Sequence, residues 1–265
     1  MKKLLAISLA LLLLTACAAT YDGPTESRSL LSRIQTVYSD AEEPRYQQTD
    51  YSYDIYGNLS VIQAYRIHDS EGSWTDPYLK TVRTYDENGN CIRQRQYDVS
   101  GWLPKKLVDV RYTYDDLGRM TSATHSKDLS WDNFTVVYDD EARTQTTAYA
   151  DSTQIDHLDE QGRIVRTEIT TESCEHTLRT YAYDDQGRIL STTQTAGGAE
   201  AVTRYEYGEN YQIRYDPDGT HTTTTYNPDG SIHYICHADS SGLVIQDWMY
   251  YYSEIQVPIR EEDAS

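Results

Sequence analysis

The phrase Tyr112-Thr-Tyr-Asp-Asp-Leu-Gly-Arg119 constrains this chain more than any other feature, because it recurs, with variations, from near Asp50 almost to the C-terminus. Asp-x-x-Gly stands at Asp54, Asp69, Asp86, Asp98, Asp115, Asp159, Asp184, Asp216 and Asp239, and Asn227-Pro-Asp-Gly230 is the same turn with Asn first. An Asp or Asn side chain caps such a turn, Pro217 and Pro228 pre-set φ at its second position, and glycine accepts the left-handed conformation at its end. Between turns, runs such as Arg111-Tyr-Thr-Tyr114, Thr180-Tyr-Ala-Tyr183 and Arg204-Tyr-Glu-Tyr207 alternate with the period of two that half-buried strands show. No helical periodicity of useful length follows residue 45. The expectation is an all-β chain of repeated antiparallel β-hairpins, forming a twisted meander sheet that curls into an open roll or partly closed barrel.

The turns fall into two kinds. Strong Tyr-Asp turns sit at Asp54, Asp86, Asp115, Asp139, Asp184 and Asn227, and weaker returns lie at Asp69, Asp98, Asp128 and near Gly197-Gly198. Some units have drifted: Ala142 stands where glycine is expected after Asp139, and His157-Leu158 replaces the tyrosine before Asp159. Such drift is ordinary where each unit mainly meets its neighbours. Tyr114-Asp-Asp-Leu-Gly-Arg119, Tyr183-Asp-Asp-Gln-Gly-Arg188, Tyr53-Asp-Ile-Tyr-Gly-Asn58 and Tyr85-Asp-Glu-Asn-Gly-Asn90 resemble the YD repeat of rearrangement-hotspot (RHS) and teneurin-like proteins. The resemblance covers roughly residues 46–250. It implies hairpins wound into a spiralling sheet, which in the large members closes as a shell around a toxin. This chain is short, and the expectation here is a hairpin array without a toxin domain.

The N-terminus carries a different signal. Met1-Lys2-Lys3 is a short basic segment, and Leu4–Leu14 is an apolar run of signal-peptide length, too short to span a bilayer with its roughly 20 residues. Leu14-Thr15-Ala16-Cys17 resembles the bacterial lipobox, which implies cleavage before Cys17 and a lipid on that cysteine. Lipid chains would then hold the protein on a membrane without spanning it. The organisation expected is a signal peptide (1–16), a lipidated cysteine with flexible tether (17–32), a hairpin-repeat domain (33–257) and an acidic tail (258–265). The location expected is the bacterial cell envelope, on the outer face of the cytoplasmic membrane or at the outer membrane.

Loss of Lys2 and Lys3 would take the net charge from −19 to −21. Such a surface repels phosphate backbones, which argues against nucleic acid as a partner and against a polybasic second anchor. Cys91, Cys174 and Cys236, besides Cys17, are widely spaced with no Cys-x-x-Cys, so neither a disulfide framework nor a structural zinc site is indicated. The 25 tyrosines stand against a single phenylalanine, Phe134. Tyrosine suits a half-buried sheet face, with the ring packed and the hydroxyl wet.

Trp74, Trp102 and Trp131 are 28 and 29 residues apart, each following a weak turn. They are the candidate ligand-binding residues, an aromatic platform for sugar rings; a ladder of cross-strand aromatic pairs accounts for the same spacing structurally. The acidic turns lack the spacing of an EF-hand or a calcium-binding β-roll, and His233 and His237, four strand residues apart, are too distant to share one metal ion. No Gly-x-Ser-x-Gly, phosphate loop or His-Glu-x-x-His is present. The chain therefore reads as a non-enzyme without cofactor, metal or catalytic residues. The role expected is a membrane-tethered envelope binding or scaffold module, for carbohydrate or an envelope protein. The alternatives are an accessory of a YD-repeat toxin or secretion system, and a hydrolase acting on envelope polymers.

Overall fold

The tyrosine-threonine runs between turns form strands throughout, because β-branched and aromatic side chains with period-two polarity fit a pleated surface wetted on one side. The structure, a computed structural model, describes residues 25–39, 45–68, 75–126, 132–173 and 175–258. In chain order the strands are β1 (Thr25–Tyr38), β2 (Arg45–Tyr53), β3 (Leu59–Ile67), β4 (Thr75–Tyr85), β5 (Cys91–Asp98) and β6 (Lys105–Tyr114). Then come β7 (Met120–His125), β8 (Phe134–Asp139), β9 (Thr144–Ala148), β10 (Ser152–Leu158), β11 (Ile164–Thr171) and β12 (His176–Tyr183). The last are β13 (Ile189–Ala196), β14 (Ala199–Tyr207), β15 (Tyr211–Tyr215), β16 (His221–Tyr226), β17 (Ile232–Ala238) and β18 (Val244–Pro258).

Every strand pairs antiparallel with its sequence neighbours, and β1 pairs with β18 from Thr25↔Pro258 to Tyr38↔Gln246. The sheet is therefore a closed 18-stranded up-and-down barrel. Closure removes the edge strands that an open roll would leave exposed. The expected tether, where it falls on described residues, is strand: residues 25–32 are the first half of β1. Their polar sequence gives little local sign of it, because the partner that orders them lies some 230 residues away in the chain.

An even-numbered meander puts alternate turns at opposite ends. One rim holds the turns at Asp54, Asp86, Asp115, Asp139, Asp159, Asp184, Gly208 and Asn227, together with Thr25 and Pro258. The other holds the C-terminal ends of β1, β3 and β7 and the connections after β5, β9, β11, β13, β15 and β17. The strong Tyr-Asp turns of the sequence thus all lie at one rim.

That rim is built by a repeated set of bonds. In each regular turn the Gly N–H donates to the Asp carbonyl, as from Gly118 to Asp115 at 3.0 Å. The Asp Oδ1 accepts from the backbone N–H two and four residues on, and its Oδ2 accepts from the side chain after the glycine: Asn58, Asn90, Arg119, Arg163 or Arg188. These arginines also lie over the tyrosine ring of the next hairpin, Arg119 on Tyr138 at 4.2 Å, Arg163 on Tyr183 at 4.6 Å and Arg188 on Tyr207 at 4.4 Å. The drifted unit at Asp139 lacks glycine, and there Arg143 takes the left-handed conformation instead, with φ 54°.

Between neighbouring hairpins the ladder stops short of this rim. The β11–β12 ladder ends at Arg166↔Thr180, three residues before Tyr183, and the β13–β14 ladder at Ser191↔Arg204, three before Tyr207. The tyrosine hydroxyl bridges the gap, donating to the carbonyl of the residue that opens the preceding strand. Tyr85 bonds Leu59, Tyr114 Cys91, Tyr138 Met120, Tyr183 Ile164, Tyr207 Ile189 and Tyr252 Ile232, while Tyr53 bonds Leu31, at 2.6–3.0 Å. Each bond satisfies a carbonyl that the ladder has left behind. Leu158 breaks the series, as the sequence anticipates at that unit, and so does Tyr226, where the ladder runs on to Thr225 and the hydroxyl donates to Gln212 Oε1 at 3.3 Å.

The wall is one sheet thick. Among the described hydrophobic residues only Val110, Ala123, Val136, Ala238 and Val257 are buried, too few for a filled core. Residues in phase with the rim tyrosines are the less exposed set and face inward, whereas Arg111, Thr113, Thr180, Ala182, Arg204 and Glu206 are exposed and face outward. The outer face also carries ion pairs, Arg33–Asp50 and Arg93–Asp109 at 2.8 Å and Arg166–Glu168 at 3.1 Å. Charges of this kind at mid-wall suit water and are costly against lipid.

Two outcomes follow. Tyr183→Phe is expected to lower unfolding stability by about 1 kcal/mol, because it orphans the Ile164 carbonyl; Tyr56→Phe, at an exposed ring, is expected to change it by less than about 0.5 kcal/mol. Urea titration of both variants checks this. Stability is also expected to fall in acid. Partial burial would raise Asp115, Asp159 and Asp184, but the backbone and arginine bonds outweigh it and hold them below the ordinary carboxylate value. The hydrogen bonds from Arg93, with help from Lys106, hold Asp109 far below it. A depressed folded value contributes stability above the unfolded value near 4 and loses it as pH falls through the folded one. The urea midpoint should be flat from about pH 7 to 5 and decline below about pH 4.

Candidate functional site

The inner face differs chemically from the outer one. It is lined by tyrosine, threonine, glutamine and short aliphatic residues, with arginines placed among them: Arg83, Arg179, and Arg214, which lies opposite Tyr205 and pairs with Asp216 at 2.8 Å. Arg83 on β4 donates through Nε to Gln94 Oε1 on β5 at 2.9 Å. Arg179 on β12 donates through Nη2 to Gln194 Oε1 on β13 at 2.8 Å. Most of the arginines at turns and on the outer face that form polar contacts meet a carboxylate, as at Asp50, Asp109, Asp115, Asp159 and Asp184. Arg83 also bonds the Tyr85 side chain, so among the described residues Arg83 and Arg179 have only neutral hydrogen-bonding side-chain partners.

Tyrosines surround both. Near Arg83 stand Tyr51, Tyr85 and Tyr112, where burial raises each phenol above its ordinary value and the guanidinium pulls it partly back. Burial likewise raises the Cys91 thiol, with Arg83 opposing. All of these groups stay neutral at physiological pH and act as hydrogen-bonding groups. Near Arg179 a cleft of about 400 Å³ is lined by Tyr181, Thr192, Gln194, Ala201, Thr203 and Tyr205. Pro217, from the turn after β15, reaches the same cleft, which places it on the concave side of the wall. Asp156, 3% exposed on the same inner wall, accepts from Thr167 Oγ1 and from Gln154 Nε2 at 2.9 Å, and Thr167 in turn lies 3.4 Å from the Tyr181 hydroxyl.

Aromatic faces, neutral hydrogen-bonding groups and a guanidinium form a surface that can hold a polar ligand by stacking and hydrogen bonding. Among the described residues no group of three or more His, Cys, Asp or Glu side chains is placed to hold a metal ion.

Of the residues singled out in the sequence, Cys17, Trp74 and Trp131 lie outside the described residues. Trp102 is 98% exposed, in the connection between β5 and β6, at the rim opposite the tyrosine turns. Leu103 beside it is 76% exposed. Trp102 therefore makes no aromatic ladder with the described wall. Cys91 and Cys236 are free and half-buried on different strands. A register shift between β16 and β17 makes His233 a bulge on the exposed side, while His237 bonds Thr222 inside, so the two histidines do not share a face.

The lumenal arginines carry a sequence signal that alternation alone leaves unread, namely their phase. Arg83-Thr-Tyr85 and Arg179-Thr-Tyr181 place arginine two residues from a lumenal tyrosine, hence inward. Arg111-Tyr112 and Arg204-Tyr205 place it next to one, hence outward.

Residues 85–128 match the RHS repeat. The match runs from the stitched Tyr85 through the turns at Asp86 and Asp115, so the YD/RHS resemblance is borne out on that stretch. No curated protein matches the chain. Among solved structures, a porin-like protein from Bacteroides uniformis is similar at a TM-score of 0.38 and 10% identity, with 87% of this chain and 99% of that one covered.

Trp102→Ala is expected to leave the urea midpoint within about 0.5 kcal/mol of wild type, as for a residue without packing partners. A larger loss would mean that Trp102 packs in solution.

Proposed function

We propose that this protein is a non-catalytic binding and scaffold module of the bacterial cell envelope, tethered by a lipid on Cys17, with carbohydrate as its ligand class. The observation that carries the reading is the hollow barrel whose inner wall presents Tyr51, Tyr112, Tyr181 and Tyr205 together with amides and hydroxyls. Sugar rings offer apolar faces for stacking and hydroxyls for hydrogen bonds, and such a wall answers both.

The geometry also supports a tether in preference to a lipid-embedded wall. Ion pairs such as Arg93–Asp109 lie on the outer face, where hydrocarbon would penalise them. Thr25 is eight residues beyond Cys17 and sits at the tyrosine-turn rim, opposite Pro258. A lipid on Cys17 would therefore turn that rim toward the membrane and present the other, with Trp102, away from it.

The test is a glycan array probed with the full chain in detergent, beside membrane fractionation of cells expressing Cys17→Ala. The expected results are retention of one or more glycans at micromolar protein and release of the variant from membranes. Absence of any glycan binding would sink the ligand class. Unchanged membrane attachment of Cys17→Ala would sink the tether.

A further inference from the structure

We infer that the lumenal cleft at Arg179 recognises a carboxylate-bearing saccharide, an oligouronate or a similar acidic glycan, with Arg179 as the group that reads the charge. The inference rests on the carbohydrate reading and adds to it the charge of the ligand.

Three observations converge on this cleft. The first is an uncompensated cation. The chain carries 42 acidic against 23 basic residues, and most of its paired arginines find a carboxylate, yet Arg179 is held by the Gln194 carbonyl oxygen alone. A neutral acceptor fixes the guanidinium without neutralising it and leaves further N–H groups for a planar anion, the bidentate geometry that carboxylates favour. The one carboxylate buried in this part of the wall, Asp156, is engaged by Thr167 and Gln154 and makes no ion pair with Arg179.

The second is shape. The cleft of about 400 Å³ is lined by Tyr181, Tyr205 and Ala201, and Ala201 lies in the same cross-strand row as Gln194 and Arg179. That volume lies in the range of small-molecule sites, and two tyrosine rings with a short side chain beside the guanidinium leave room for pyranose rings. The third is the surrounding polarity. Thr192, Thr203 and Gln194 line the same cleft and supply neutral donors and acceptors for sugar hydroxyls. A small inorganic anion would use the guanidinium and leave the aromatic faces without purpose; a neutral glycan would use the rings and leave the cation without one. An acidic saccharide uses both.

The acidic exterior sharpens the requirement. A net charge of −19 repels anions at long range, so an acidic ligand enters only where a local cation outweighs that field. Salt should therefore screen a repulsion on approach and an attraction in the cleft.

The experiment is calorimetric titration of the full chain in detergent with trisaccharides of galacturonate, glucuronate and mannuronate, and with their methyl esters, which keep the rings and mask the charge. At least one free acid is expected to bind roughly tenfold or more tighter than its ester, the effect of one charge-assisted contact. Arg179→Gln should abolish that difference while leaving ester binding within about twofold, and Arg204→Gln, an exposed arginine of the outer face, should leave it intact. Circular dichroism of each variant establishes that it is folded, and Arg179→Lys, which keeps the charge but not the fork, is expected to recover only part of the preference. Equal binding of acid and ester by the wild type would overturn the inference while leaving the carbohydrate reading standing. Loss of preference in Arg204→Gln equal to that in Arg179→Gln would also overturn it. Binding of no saccharide, here or on the array, would overturn both.

Discussion

The bond from a tyrosine hydroxyl to the carbonyl that opens the preceding strand is the interaction on which the rest of the structure depends. Hairpins in a strongly coiled sheet splay at their ends, and the inter-hairpin ladder stops three residues before the rim tyrosines that make this bond, as at Tyr183 and Tyr207. Without a bridge, each splay would leave a carbonyl unsatisfied and the rim free to open. Phenylalanine would fill the space equally well and could not make the bond. This is a physical reason for the 25 tyrosines and single phenylalanine. At three turns the arginine after the glycine, Arg119, Arg163 or Arg188, completes the clasp, bound to its own turn Asp and laid over the ring of the next hairpin.

A sheet held together in this way does not need a dense core. Its stability comes from ladder bonds, rim stitches and half-buried rings, and its interior remains available for ligand. The two rims also separate in role. Tyrosine turns form one of them with Thr25 and Pro258, and the other carries irregular connections such as Gly101-Trp102-Leu103. Closure through β1 and β18 makes the wall continuous, so polar groups of the backbone are spent on neighbours and the side chains of the inner face are what a ligand meets.

Much of this was legible in the residues. Period-two tyrosine alternation and Asp-x-x-Gly turns identify the strands and the strong rim, and even the drifted units at Ala142 and Leu158 were visible as departures. Closure was not, because residues 25–32 carry no strand pattern of their own and their partner is the far end of the chain. Of the series Trp74, Trp102 and Trp131, Trp102 stands in solvent on the loop rim, away from the inner-wall residues of the candidate site, and the other two lie outside the described residues. Arg83 and Arg179 went unnoticed because an arginine in a tyrosine-rich strand looks alike whichever face it takes. Only its phase relative to the lumenal tyrosines distinguishes the two, and that phase acquires meaning once the wall is known to curve.

The central claim is that the hydroxyl stitches hold the barrel closed. Native-state hydrogen exchange on the wild type and on a Tyr53→Phe/Tyr252→Phe double variant tests it most directly, since these two hydroxyls bond Leu31 and Ile232 on either side of the β1–β18 seam. In the wild type, β1 and β18 amides should exchange as slowly as those of β5 and β12. In the variant, exchange should accelerate at the seam and leave β5 and β12 protected. Rapid exchange of β1 and β18 in the wild type, or an unchanged seam in the variant, would contradict the account.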